Sequence, residues 1–354
     1  MKRKLFISYL IAILAIYGCG NKESSTTLFP FLENDKYGYI NAAGSVIIKP
    51  KYDYAGGFHE DRALVMIDNK FAIIDMNQNN VYLFTEFDRH NNWNTSYISY
   101  CDRFGFSEGL LAIPVGGKWG FINKEGETVI EPKFCSHRVP FFSEGLVNVQ
   151  IDSMYGFIDK TGNIAIKPIY KSAGWFSEGL APVKIGEKNW GYIDKSGSIV
   201  IEPKFYRASP FSDGRAPIRM NERLVGFIDK TGKIVIEPKY TITDGFRDGL
   251  ACVEIVDSYS KSAVINKMGN FIIEPTREYV IFGFYEGLAK IRVGEISGSE
   301  KWGYIDKTGE VVIEPKFDFA SDFSNGLARV LFGDYSGRVM GYIDKKGNYI
   351  WGPK

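Results

Sequence analysis

The side chains best suited to acid–base or metal chemistry are sparse in this 354-residue chain. It has three histidines, His59, His90 and His137, and no fixed spacing relates them. A metal cluster or a His-based catalytic set would need help from distant residues, so solvent-facing or loop histidines are the simpler expectation. Asp88, His90 and Asp102 fall in one irregular stretch and are the residues from which a hydrolase site could be built. The sequence has no Gly-x-Ser-x-Gly, no phosphate-binding glycine loop and no His-Glu-x-x-His. On these grounds no catalytic residue, metal site or cofactor is expected, and the chain reads as a non-enzyme.

Sulfur chemistry is equally restricted. Beyond Cys19 only Cys101, Cys135 and Cys252 remain, with no Cys-x-x-Cys spacing, which argues against a thiolate metal site. Cys101 and Cys135 lie in connectors of neighbouring units. A disulfide between them in an oxidising envelope and three small buried hydrophobes are both open readings.

Three columns of residues recur instead. Asn41, Asp75, Asn123, Asp159, Asp194, Asp229, Asn266, Asp306 and Asp344 form the first. They could be a ladder of calcium ligands, but an Asp before Lys-x-Gly is already explained by a turn. Glu108, Glu144, Glu178, Asp213, Asp248 and Glu286 form the second, and cross-repeat ion pairs with a lysine column are expected for them. The third is aromatic: Trp119, Tyr155, Trp190 and Trp302. Aromatics at repeated grooves stack on sugar rings or peptide side chains, so these four are the candidate ligand-binding residues. Core packing between adjacent units is the alternative use of the same residues.

The elements that must hold these columns follow from one recurring phrase. Gly156-Phe157-Ile158-Asp159-Lys160-Thr161-Gly162 returns from Gly191, Gly226, Gly303 and Gly341, with looser copies from Gly38, Ala72, Gly120 and Ala263. The copies from Gly38, Gly120, Gly191, Gly226 and Gly303 are followed by a β-branched run ending in Pro-Lys-aromatic, and Phe-x-x-Gly with another short apolar run opens most of the later units. Period-two alternation and frequent Gly and Pro predict three short strands per unit and no helix. Asp-Lys-Thr-Gly predicts a hairpin loop whose Gly takes positive φ. The Gly before the aromatic is expected to let a neighbouring aromatic cross the backbone, and the Pro to end the third strand.

Lys118-Trp119-Gly120, Asn189-Trp190-Gly191 and Lys301-Trp302-Gly303, with the segments that follow them, resemble the bacterial WG (KWG) repeat family over roughly residues 28 to 354. The resemblance implies an all-β repeat protein of the cell surface or envelope and brings no catalytic activity with it. Tyr37, Tyr155, Val225 and Met340 replace the Trp in their units. Nine tandem three-stranded antiparallel units are expected, stacked as an open solenoid or superhelical array, with a closed β-propeller as the alternative. Units near 36 residues are short for four-stranded blades, nine exceeds the usual blade count, and the chain ends on a third strand with none left over.

The N-terminus carries a targeting signal. Lys2, Arg3 and Lys4 precede an apolar stretch ending at Tyr17-Gly18-Cys19, which resembles a bacterial lipobox. This implies a signal peptide over 1–18, lipidation of Cys19, a polar tether over 19–27 and a repeat domain over 28–354 with an irregular insertion near 79–103. Removing 1–18 takes the formal charge from +1 to −2, so no nucleic-acid partner is expected. The expected protein is a lipid-anchored, non-catalytic binding or scaffold module of the bacterial envelope. Its partner would be a protein, peptide or glycan, and the outer membrane or cell surface is favoured over the inner membrane. An envelope hydrolase with a site in 79–105 and a passive structural spacer are the alternatives.

Overall fold

A computed structural model describes residues 27–68, 70–83, 105–136, 139–186, 189–256, 260–294, 300–333 and 339–352. Every regular element in them is a β-strand, and the strands form nine separate antiparallel sheets. The sheets are termed blades 1 to 9 and span 29–52, 54–83, 110–134, 146–170, 172–205, 207–240, 242–276, 280–317 and 319–351.

The repeated phrase explains each blade's local geometry. In blade 4 the second strand, Met154–Asp159, meets the third, Ile164–Tyr170, across the Asp159–Gly162 turn. Asp159 Oδ1 accepts the Thr161 and Asn163 N–H groups at 2.9 and 3.0 Å, and Gly162 sits at φ 83°. The third strand does not stop at its proline. It bulges there and continues to Tyr170, which pairs with Tyr155. The bulge also explains the strand glycine. A Cβ on Gly156 would lie 2.6 Å from the Ile166 carbonyl and 2.8 Å from Pro168 N. A crossing backbone, rather than a crossing aromatic ring, excludes the side chain.

Blades pack face to face. In blade 6, Ile228 faces Tyr192 and Phe205 of blade 5, while its chain neighbour Phe227 joins Phe246 and Ala251 of blade 7. Period-two alternation therefore feeds two different interfaces, and both faces of the second strand are buried. At most internal seams the Phe that opens a blade meets the second-strand aromatic of the preceding blade, whereas Phe106 and Phe284 meet Ile73 and Val264 instead. Ring centroids are 4.8 Å apart for Phe157–Phe176, 5.0 Å for Tyr192–Phe211 and 4.8 Å for Tyr304–Phe323.

The expected open solenoid is not what forms. Blade 9 packs on blade 1, and the ring closes as a β-propeller. Phe29 meets Tyr342 at 5.5 Å, as an internal plug would. Tyr342 Oη donates to the Pro30 carbonyl at 2.8 Å, repeating the Tyr192 Oη bond to Ser209 O and the Tyr304 Oη bond to Ser321 O, both 2.7 Å. Phe31 packs on Trp351 at 4.7 Å, and Gly44 lies against the Ile350 backbone.

The arguments against closure fail for two physical reasons. Six of the nine sheets do have a fourth strand, and outside blade 8 it is only two residues long as the first strand of its sheet: in blade 5 it is Ser172–Ala173, one residue after the third strand of blade 4. A 36-residue unit accommodates that. Closure also needs no leftover strand, because blade 1 and blade 9 each keep their own strands and join through side chains.

Candidate functional site

The four aromatics of the expected ligand column share one register. Each is the cross-strand partner of the aromatic that ends the third strand: Trp119 with Phe134, Tyr155 with Tyr170, Trp190 with Phe205 and Trp302 with Phe317. Sharing a register does not gather them into one cleft, since they stand on blades 3, 4, 5 and 8. Trp119 is 2% exposed, lies within a core cluster and donates its indole N–H to the Ser136 carbonyl at 3.3 Å. Tyr155 and Trp190 are half-buried against the clusters of their own seams. Trp302 is half-buried and stacks on Phe282 at 5.0 Å with 32° between the planes. Lys290 Nζ and Arg292 Cζ stand 5.7 and 5.9 Å from its centroid, in cation–π range. The packing role thus accounts for Trp119, while Tyr155, Trp190 and Trp302 keep an accessible edge.

The carboxylate columns hold the scaffold. Asp159, Asp194, Asp229 and Asp306 bind their own turns, and a hydroxyl donor on Thr161, Ser196, Thr231 or Thr308 holds each carboxyl below its usual range. The second column bridges neighbouring blades as expected. Glu178 accepts the Gly214 N–H at 3.1 Å and pairs with Lys230 at 3.1 Å; Glu108 with Lys160 and Glu144 with Lys195 repeat the arrangement. Among the described residues no three His, Cys, Asp or Glu side chains converge to hold a metal ion. Cys135 is exposed and Cys252 buried. Cys19, Asp88, His90, Cys101, Asp102 and His137 lie outside the described residues, as do the signal segment and most of the 79–103 insertion.

A half-buried polar cluster spans blades 7, 8 and 9 and belongs to none of the repeated motifs. Lys290 Nζ pairs with Asp322 Oδ1 at 3.0 Å. The Arg247 guanidinium lies 4.0 Å over the Tyr285 ring, and Cys252 Sγ donates to the Phe282 carbonyl at 2.9 Å. Desolvation by the side chains packed around it, reinforced by the Asp322 charge, pushes the Asp244 carboxyl up to about 6, against the pull of the Gly283 N–H, Lys290 and Arg247, although the residue as a whole remains solvent-exposed. Burial likewise raises the Cys252 thiol. The signal was present in the sequence: Asp244 stands two residues before its plug Phe246, where Gly56, Gly174 and Ser209 stand in other blades.

With this geometry established, sequence comparison decides the family. The model described as "WG containing repeat" matches residues 37–71, 119–154, 155–188, 190–223, 226–257, 264–295 and 302–335, most of the chain. The chain belongs to the WG repeat family. No curated protein matches its sequence. Among solved structures, this WG repeat protein is similar to BamB from Moraxella catarrhalis, at 10% identity over 83% of this chain and 94% of that one, TM-score 0.47. It is also similar to Hsv2 from Kluyveromyces lactis, at 6% identity over 57% and 71%, TM-score 0.38. A protein of unknown function from Bacteroides caccae matches at 16% identity over 58% and 92%, TM-score 0.28. These likenesses are loose, and none of them informs on what the WG repeats of this chain bind.

Proposed function

We propose that this protein is a non-catalytic binding or scaffold module, held in the bacterial envelope by a lipid on Cys19 and presenting its ring to a protein, peptide or glycan. One observation supports the reading above others. The two recurring carboxylate columns are engaged in turns and in seams between blades, so they build the scaffold and leave recognition to other residues. Trp190 and Trp302 are such residues. The lipobox-like start supplies the anchor and, with Gly20 and Asn21 rather than an Asp after Cys19, favours the outer membrane or cell surface.

A pull-down from envelope extracts tests the reading. The native chain should capture a defined partner, and Trp302→Ala or Trp190→Ala should weaken capture. The anchor is tested separately: Cys19→Ser should leave the membrane fraction. The same engagement of repeated polar groups also fits the second reading, a passive structural spacer. Under that reading no partner is captured by either the native chain or the tryptophan variants.

A further inference from the structure

Blade 6 breaks the repeat in a way its architecture does not require. Its short strand Arg207–Ala208 pairs with Ala216–Arg219, which makes Arg207 and Arg219 direct cross-strand partners. Like charges placed directly opposite destabilise a sheet. Other blades avoid this at the same register, where Ser172 faces Lys184, Val280 faces Arg292 and Phe319 faces Leu331.

The two charges are not relieved internally. Arg219 is half-buried and fixed: Nη1 donates to the Glu222 and Arg223 carbonyls at 2.9 and 3.1 Å, and Nη2 to the Thr241 carbonyl at 3.0 Å. Burial first, and the Arg207 charge second, hold its guanidinium below the ordinary arginine value. Arg207, the cross-strand partner of Arg219, and Arg223, whose carbonyl Arg219 holds, are both exposed. The nearby Glu222 carboxylate accepts the Tyr206 hydroxyl at 3.3 Å. Among the described residues no carboxylate forms an ion pair with any of the three guanidinia. Trp190 of blade 5 adjoins the group: it pairs with Phe205, two residues before Arg207, and packs in the cluster that holds Ala208.

We propose that Arg207, Arg219 and Arg223 form a binding site for an oxyanion, a phosphate or carboxylate, carried by a ligand whose body lies beside Trp190. Guanidinium forks match the paired oxygens of both groups, and a bound anion removes the repulsion that the empty sheet retains. The site deepens the binding reading above and rests on it by naming the ligand's chemistry.

Thermal unfolding of the full chain, at fixed ionic strength, tests the site with inorganic phosphate and with glucuronate. Phosphate or glucuronate should raise the melting temperature of the native protein, and Arg207→Gln should weaken that response about 10-fold or more. Arg207 makes no bond that the fold needs, so ligand-free Arg207→Gln should melt no lower than native. Equal responses in the two proteins, or none in the native one, overturn the proposal. Binding to phosphatidylglycerol vesicles but not phosphatidylcholine vesicles, lost in Arg207→Gln, would assign the oxyanion to a lipid headgroup. Loss of the oxyanion response while envelope partners are still captured removes this site alone. A persistent response with no captured partner removes the broader reading instead.

Discussion

The closing seam between blades 9 and 1 differs from an internal seam, such as that between blades 5 and 6, in what it retains and what it drops. Both have an aromatic pair: Phe29 of the first strand on Tyr342, standing in for the plug Phe211 on Tyr192. Both have the tyrosine hydroxyl on a backbone carbonyl of the next blade. The internal column also carries acid–lysine bridges, such as Glu178 to Lys230. At closure the positions equivalent to those two residues are Asn325 and Ala42, and both charges are gone together. Among the described residues the ring therefore closes on apolar packing and the half-buried Tyr342 hydrogen bond, and the ion pairs are secondary. That order agrees with their magnitudes: a buried aromatic contributes several times more than an exposed ion pair.

Removing the plug should give the largest effect and separate the two seams. Phe29→Ala and Phe176→Ala should each cost about 3–4 kcal/mol in denaturant unfolding. Only the closing seam lacks a covalent connection, so Phe29→Ala should also open the ring and raise the radius of gyration in small-angle scattering. A compact Phe29→Ala ring would show that closure rests on other contacts.

The seams around blades 7 to 9 add a pH dependence that the closing seam lacks. Asp244 faces Asp322, Lys290, Arg247, Tyr285 and Cys252, and its folded-state pKa of about 6 is above the ordinary 3.8. A raised acid binds its proton more tightly when folded. Stability should thus fall as pH rises from about 4 to about 6, by about 1 kcal/mol or less because solvent reaches Asp244 and screens its neighbours, and hold its lower level above that. Asp244→Asn should flatten this slope. An unchanged pH profile in the variant would remove Asp244 as the cause.

Smaller effects sharpen the comparison further. Tyr342→Phe and Tyr304→Phe each leave a carbonyl without its donor and should cost about 1 kcal/mol, equally at the two seams. Installing the missing pair with Asn325→Glu and Ala42→Lys should stabilise by only about 0.5 kcal/mol and lose that gain in high salt. A larger, salt-resistant gain would show that the ion pairs matter more than their exposure implies.

How much of this was legible beforehand depends on the range of the interaction. Asp159-Lys160-Thr161-Gly162 announced its turn because the groups that close it lie within four residues. The bulge over Gly156 was misread as strand termination, since nothing local in Ile166–Pro168 shows that the strand resumes on the far side of the proline. Among the candidate residues, Trp119 was legible as an aromatic on a strand but not as one 2% exposed, because its cover comes from neighbouring segments. Asp244 and the Arg207–Arg219 pair were visible as departures from the repeat, yet their meaning needed the partners that folding brings to them.

The sequence alone determined the unit, antiparallel strands joined by tight turns, through chemistry within one repeat of about 36 residues, and showed nine tandem copies of it. Only the tertiary structure decided whether the stack stays open or returns on itself. Each seam contributes a small rotation that no single repeat encodes legibly. The sum over nine seams brings Tyr342 to Pro30, 312 positions earlier in the chain.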